Sequence, residues 1–155
     1  EAGELIAEAH AAGLIVVLWI YPRGKAVTDE KDPDLIAGAA GVALCLGADF
    51  VKVNPPHDVE GQTSAESLKI ASMAAGRTGL VCAGGSKADA NVFLTQLHDQ
   101  IHIGGACGNA TGRNIHMRSD DEAIRLCNAI SAITLGDWSV EDAEAVFRGE
   151  KEFSL

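Results

Sequence analysis

The sequence predicts an α/β chain of four strand–helix units, the carboxyl-terminal half of a (β/α)8 barrel comprising strands five to eight. Three observations lead there. Apolar runs recur roughly every 30 to 35 residues, the βα period, and each is followed by a segment with helical apolar spacing. The first run, residues 14–20, reads Leu-Ile-Val-Val-Leu-Trp-Ile, which suits a parallel strand buried on both faces. The last two strands each run into a glycine turn followed by a cation, Gly84-Gly85-Ser86-Lys87 and Gly112-Arg113. Barrels of this kind hold phosphate after strands seven and eight in that way. Residues 1–136 are assigned to the half-barrel and 137–155 to a short helical tail. Because the chain opens without methionine, inside an expected helix, it is expected to be a piece of a longer protein.

Taken in order, the elements have identifiable starts and stops. A helix over residues 4–12 precedes Gly13 and the first strand, which Pro22 and Gly24 end in a turn. Strand alternation places Val17, Trp19 and Tyr21 on one face. After a charged loop over 25–31, Asp32 then Pro33 opens a helix to about Leu46, stopped by Gly47. Residues 48–54 form the second strand, closed by Pro55 and Pro56. A polar loop over 57–62 leads to a helix from Thr63 or Ser64 to about Ala75. Residues 78–83 form the third strand and 88–100 a helix. The fourth strand is placed within 103–110, and a helix within 120–134. Ser139-x-x-Asp142 resembles a capping box opening a helix over 140–147, and the polar tail 148–155 is expected to pack loosely.

Composition narrows the partners. The net charge is −10 with 47% hydrophobic residues, which fits a globular core and argues against a nucleic-acid partner, since phosphate backbones need a basic face. No apolar run reaches membrane length and no signal-like core opens the chain, so a membrane is not an expected partner either. Cys45, Cys82, Cys107 and Cys127 lack any C-x-x-C spacing and read as small buried thiols in a reducing cytoplasm. His98 and His102 have helical i, i+4 spacing without a carboxylate motif, so surface or helix-end positions are expected rather than a metal site.

Lys52 is the residue that asks for chemistry. It stands between Val51 and Val53 in a strand expected to be covered on both sides, where desolvating an ammonium is costly. An edge-strand lysine guarding against aggregation is the plain alternative. On a covered strand the amine must be partnered or held neutral, and a neutral lysine is a nucleophile toward carbonyls.

Four motifs then resemble one family in order and spacing: Trp19-x-Tyr21-Pro22-Arg23-Gly24, Gly47-Ala48-Asp49-Phe50-Val51-Lys52, Ala83-Gly84-Gly85-Ser86-Lys87 and Gly112-Arg113-Asn114-Ile115. They are similar to archaeal-type class I fructose-bisphosphate aldolases, within the superfamily that includes deoxyribose-phosphate aldolase. The resemblance implies a metal-independent, cofactor-free lyase acting on a phosphorylated sugar in glycolysis or gluconeogenesis, and a large homo-oligomer. It implies that Lys52 forms the Schiff base and Tyr21 donates and accepts the proton. Trp19 would line the pocket and Arg23 would contact the substrate. Gly84, Gly85, Gly112 and Arg113 would hold a phosphate, with Lys87 as a helper. The family's Asp-His-Gly strand is absent, the loop over 54–62 differs, and His116 stands where an aromatic is common. Three rivals remain open. One is a transaldolase-type 2-amino-3,7-dideoxy-D-threo-hept-6-ulosonate synthase, whose strand five usually lacks the tryptophan. The others are a phosphate-binding barrel without Schiff-base chemistry and a non-catalytic half-barrel that only associates with a partner.

Overall fold

The computed structural model describes residues 1–58 and 64–154. Its four strands are β1 (Val17–Trp19), β2 (Phe50–Val53), β3 (Gly79–Ala83) and β4 (Gly108–Ala110). They form one parallel sheet in the order β1-β2-β3-β4. Sequential parallel order, with no reversal, is the order of a barrel wall. The helices are α1 (Ala2–Ala11), α2 (Pro33–Leu46), α3 (Ser64–Ala75), α4 (Ala90–His102), α5 (Arg113–His116), α6 (Asp120–Gly136) and α7 (Val140–Arg148).

Local chemistry explains the clean boundaries. The Asp32 carboxylate accepts from the amides of Asp34 and Leu35 at 2.9 and 3.1 Å, and Pro33 supplies the preset first turn of α2. Gly47 ends that helix at φ 87°, a left-handed conformation in which a Cβ is strained. Ser119 and Glu122 close a reciprocal capping box on α6.

Strand alternation sorts the sheet into two faces. Val51, Val53, Leu80 and Cys82 turn to the helix layer, where they join Ile36, Ala40 and Ala43 of α2 and Leu68 and Ala71 of α3 in one core. Alanines on α2 and α3 let those helices lie close to the sheet. The opposite face carries Trp19, Lys52 and Val81 in register. A second core joins Phe93, Leu94 and Leu97 of α4 to Leu126 and Ile133 of α6 and Val146 of α7.

Asp49 ties the start of the sheet together. Its carboxylate accepts from the Val16 amide at 2.8 Å and meets His10 Nε2 at 2.9 Å, while its carbonyl accepts from Gly79 N at 2.8 Å. One residue therefore joins α1, β1, β2 and β3. Beside it, buried Thr78 donates to the Ala48 carbonyl at 2.9 Å.

Several expectations are corrected. The first strand is three residues long, and Leu14, Ile15, Val17 and Trp19 are exposed rather than buried on both faces. β1 is an outer strand here, paired only with β2 among the described residues, so one face of its run packs half-buried on the helix layer through Val16, Leu18 and Ile20 while the other face stays open. The fourth strand shrinks to Gly108–Ala110 because residues 103–106 unwind from α4, their amides bonding to the carbonyls of Asp99, Gln100 and Ile101. α5 has no expected counterpart. The tail is packed: Phe153 meets Trp138 edge-on at 5.3 Å, and Lys151 bonds to Asp142 at 2.9 Å while lying over the Trp138 ring. Of the cysteines only Cys82 is buried, because it alone faces the sheet–helix core, and burial pushes its thiol up to about 12. Cys45, Cys107 and Cys127 are exposed. Residues 59–62 of the loop expected over 57–62, and a helix start at Thr63, lie outside the described residues.

The Val16 amide, then His10, hold the Asp49 carboxyl below its ordinary value of 3.8. Stability from such a group is present above the unfolded value and is lost as pH falls through the folded one. Asp49→Asn should therefore lower the melting midpoint at pH 6, and the gap from wild type should close as pH drops below 3.8. Thermal melts across pH check this.

Candidate active site

The site is built at the carboxyl ends of the strands. Trp19 and Lys52 are register partners on neighbouring strands, so their side chains leave the same face together. Lys52 is only 9% exposed, and its Nζ lies 3.6 Å from the centroid of the Trp19 ring. An indole face attracts an ammonium and also excludes water. Trp19 itself is 66% exposed, so the ring covers the lysine while its own outer face stays open. Val51 and Val53, on the other side of the strand, are fully buried.

Pairing continues past β1, with Ile20 N donating to the Lys52 carbonyl at 3.1 Å. Tyr21, two residues past Trp19, therefore leaves the sheet at the same end, half-buried. The Arg23 guanidinium lies over the Tyr21 ring at 5.3 Å, and its Nε bonds to Glu30 at 2.9 Å. Arg23 thus sits on the rim beside Tyr21, held by an exposed ion pair.

The glycine turns lie on the next strands. Gly84 N donates to the Ala110 carbonyl at 3.2 Å, tying the ends of β3 and β4. A Cβ on Gly84 would stand 2.7 Å from Thr111 Oγ1 and 2.9 Å from Thr111 Cα. Glycine is required there by close approach to a neighbouring backbone. Gly85 adopts φ +67° with open space around it. Gly84, Gly85, Ser86, Asn109 and Arg113 line a cleft of about 580 Å³ that extends to Gln96 and Gln100 of α4.

The structure therefore gathers the expected residues into two neighbouring groups. Trp19, Lys52, Tyr21 and Arg23 stand at β1 and β2; Gly84, Gly85 and Arg113 line the cleft at β3 and β4, and Gly112 directly precedes Arg113 as the cap of α5. Lys87 departs from expectation. Its Nζ donates to the Met117 carbonyl at 2.7 Å, because α5 ends within its reach, so it braces the turn rather than pointing into the cleft. The rings of His98 and His102 lie 4.2 Å apart, tilted by 38°, and contact Asp99 and Asp137 respectively. Among the described residues no cluster of His, Cys, Asp and Glu is arranged to hold a metal ion. One residue escaped the sequence reading: Asn114 is fully buried and bonded to the Gly84 turn, a contact that no spacing rule signals.

Residues 1–118 match the family model described as DeoC/LacD family aldolase. The chain belongs to the DeoC/LacD aldolases. It is 57% identical over 152 residues to the fructose-bisphosphate aldolase/6-deoxy-5-ketofructose 1-phosphate synthase of Methanocaldococcus jannaschii, covering 98% of this chain and 48% of that protein. A solved fructose-bisphosphate aldolase from Slackia heliotrinireducens is 74% identical with a TM-score of 0.96, covering 99% of this chain and 49% of the other. A solved Schiff-base-forming fructose-1,6-bisphosphate aldolase is 30% identical with a TM-score of 0.75, over 86% of this chain and 50% of that one. The chain thus spans about half the length of the relatives it matches, and its four-stranded parallel wall is half of the aldolase barrel.

Gly84→Ala should cost about 1–3 kcal/mol, since the new methyl meets the Thr111 backbone, which cannot swing aside. Denaturant unfolding of the full-length variant measures it.

Proposed function

We propose that this family member is the lysine-bearing half of a class I fructose-bisphosphate aldolase, cleaving fructose 1,6-bisphosphate reversibly to dihydroxyacetone phosphate and glyceraldehyde 3-phosphate. The observation that carries the reading is the buried Lys52 amine set against the Trp19 ring at the strand ends, one strand away from a glycine turn that opens on a cleft. The Lys52 amine adds to the ketone carbon and water leaves, giving a protonated imine. The bond between carbons three and four then breaks, its electron pair drawn into the protonated imine as a neutral enamine, while the carbon-four hydroxyl loses its proton and departs as aldehyde. Carbon three of the enamine then takes up a proton, and water hydrolyses the imine to free dihydroxyacetone phosphate and the amine. Tyr21, at the same mouth, is the group we assign to that proton traffic. Arg113 with Gly84, Gly85 and Gly112 holds the ketone's phosphate, which brings the reacting carbon to the amine. Trp19 lines the sugar channel, and Arg23 meets the substrate after release from Glu30.

The same reading places the enzyme in cytoplasmic sugar-phosphate metabolism, in glycolysis or gluconeogenesis. Exposed Val42 on α2 and Met73 on α3 support a homo-oligomer of closed barrels. A second activity is favoured by the double name of the 57% identical relative: the enamine held on Lys52 would also serve synthesis of 6-deoxy-5-ketofructose 1-phosphate.

Borohydride reduction of the full-length protein with dihydroxyacetone phosphate should leave a stable adduct on the peptide carrying Lys52, and none in Lys52→Met. An adduct-free wild type sinks the proposal. Tyr21→Phe should still trap the adduct while cleavage slows by about 10²–10⁴-fold, read by coupled assay.

A further inference from the structure

Between the two glycine turns sits a buried amide whose three hydrogen bonds all go to one loop. Asn114 is 0% exposed. Its Nδ2 donates to the Gly84 carbonyl at 2.7 Å and to the Ser86 carbonyl at 3.1 Å, and its Oδ1 accepts from Ala88 N at 2.8 Å. Donors and acceptor are both used, so the side chain has no freedom to turn over. Ala88 is gripped from its other side by Arg118, whose Nη2 donates to the Ala88 carbonyl at 2.9 Å and whose Nε donates to the Asn114 carbonyl at 2.8 Å.

This clamp fixes which way the peptides of the turn point. Two carbonyls of the turn are drawn inward to the Asn114 amide. A peptide carbonyl and the following N–H point in opposite directions, so holding the Gly84 and Ser86 carbonyls inward turns the Gly85 and Lys87 N–H groups away from Asn114. Gly85 is exposed, and it lines the cleft with Arg113. Asn114 is also the residue after Arg113, so one short segment carries both the cation and the brace of the opposite turn.

Resting on the aldolase reading above, we infer that Asn114 is a positioning residue for the phosphate end of the substrate: it presets the Gly84–Lys87 turn for the anion and takes no part in the lysine chemistry. Its loss acts on recognition of the phosphate and spares the ketone.

The test compares two ketones on the full-length protein, with and without phosphate. Borohydride trapping at Lys52 is measured against the concentration of dihydroxyacetone phosphate and of dihydroxyacetone. In Asn114→Ala the half-saturating concentration of the phosphorylated ketone should rise about tenfold or more, the consequence of releasing three backbone groups of the turn from their side-chain partner, while trapping of dihydroxyacetone stays at the wild-type level. Asn114→Asp, which keeps the volume but turns a second acceptor toward two carbonyls, should show the same selective loss. Equal losses for both ketones, or no loss for either, overturn the assignment. So does failure of both variants to melt cooperatively, which would make Asn114 a residue of the fold alone. A wild type that traps neither ketone defeats the aldolase reading instead. In that event calorimetric titration with inorganic phosphate decides Asn114, weaker binding by the variants supporting its role and equal binding ending it.

Discussion

The whole site depends on one pairing, the register that sets Trp19 of β1 opposite Lys52 of β2. A lysine in mid-strand with valines on both sides has two poor options, to be buried without a partner or to force the strand outward. The parallel register removes the dilemma by bringing an aromatic face to 3.6 Å from the amine. Shift β1 by one residue and Leu18 would stand there, with the indole turned to the helix layer. Asp49 is the pin against such a slip. It holds the Val16 amide at the start of β1 and the Gly79 amide at the start of β3, and β2 begins at the next residue.

From that register the spacing of the two residue groups follows. β3 lies beside β2, about 4.8 Å away across a sheet, and Lys52 pairs with Val81, three residues short of Gly84. The amine and the glycine turn therefore lie one strand apart at the same end of the sheet. The two groups also differ in stiffness of mounting. Lys52 is carried by a strand. The turn is a loop, stabilised by Gly84 against Ala110 and by the Lys87 amine on the Met117 carbonyl.

Legibility in the sequence followed how local each cause was. Asp32-Pro33 and Gly47 bound α2 because capping and left-handed stops act within a few residues, and the sequence reading places both ends correctly. Lys52 stood out because its neighbours are its own strand mates. The failures share the opposite character. Burial of the 14–20 run depended on which strand lies outermost, which composition does not encode. The exposed Cys45 and Cys127 depended on which side of α2 and α6 faces the sheet. Phe153 found Trp138 only because α7 folds back on α4 and α6. Asn114 reads as an ordinary polar residue after an arginine, and its value comes from carbonyls some thirty residues earlier in the chain.

The exposed face of β1 and the protection of Lys52 are one problem. Within this chain the amine is shielded by an indole that is itself 66% open, and the strand carrying the indole has a free edge flanked by Leu14 and Ile15. An open apolar edge invites wrong pairing, and the ring that covers the buried amine has water on its own outer face. A barrel wall has no edges once it closes. The strand that pairs with β1 in a closed barrel also brings side chains over Val17 and Trp19, so the same step that satisfies the backbone of β1 dries the surroundings of Lys52. Shielding of Lys52 and completion of the sheet are thereby coupled: whatever closes the wall beside β1 also finishes the surroundings of the lysine.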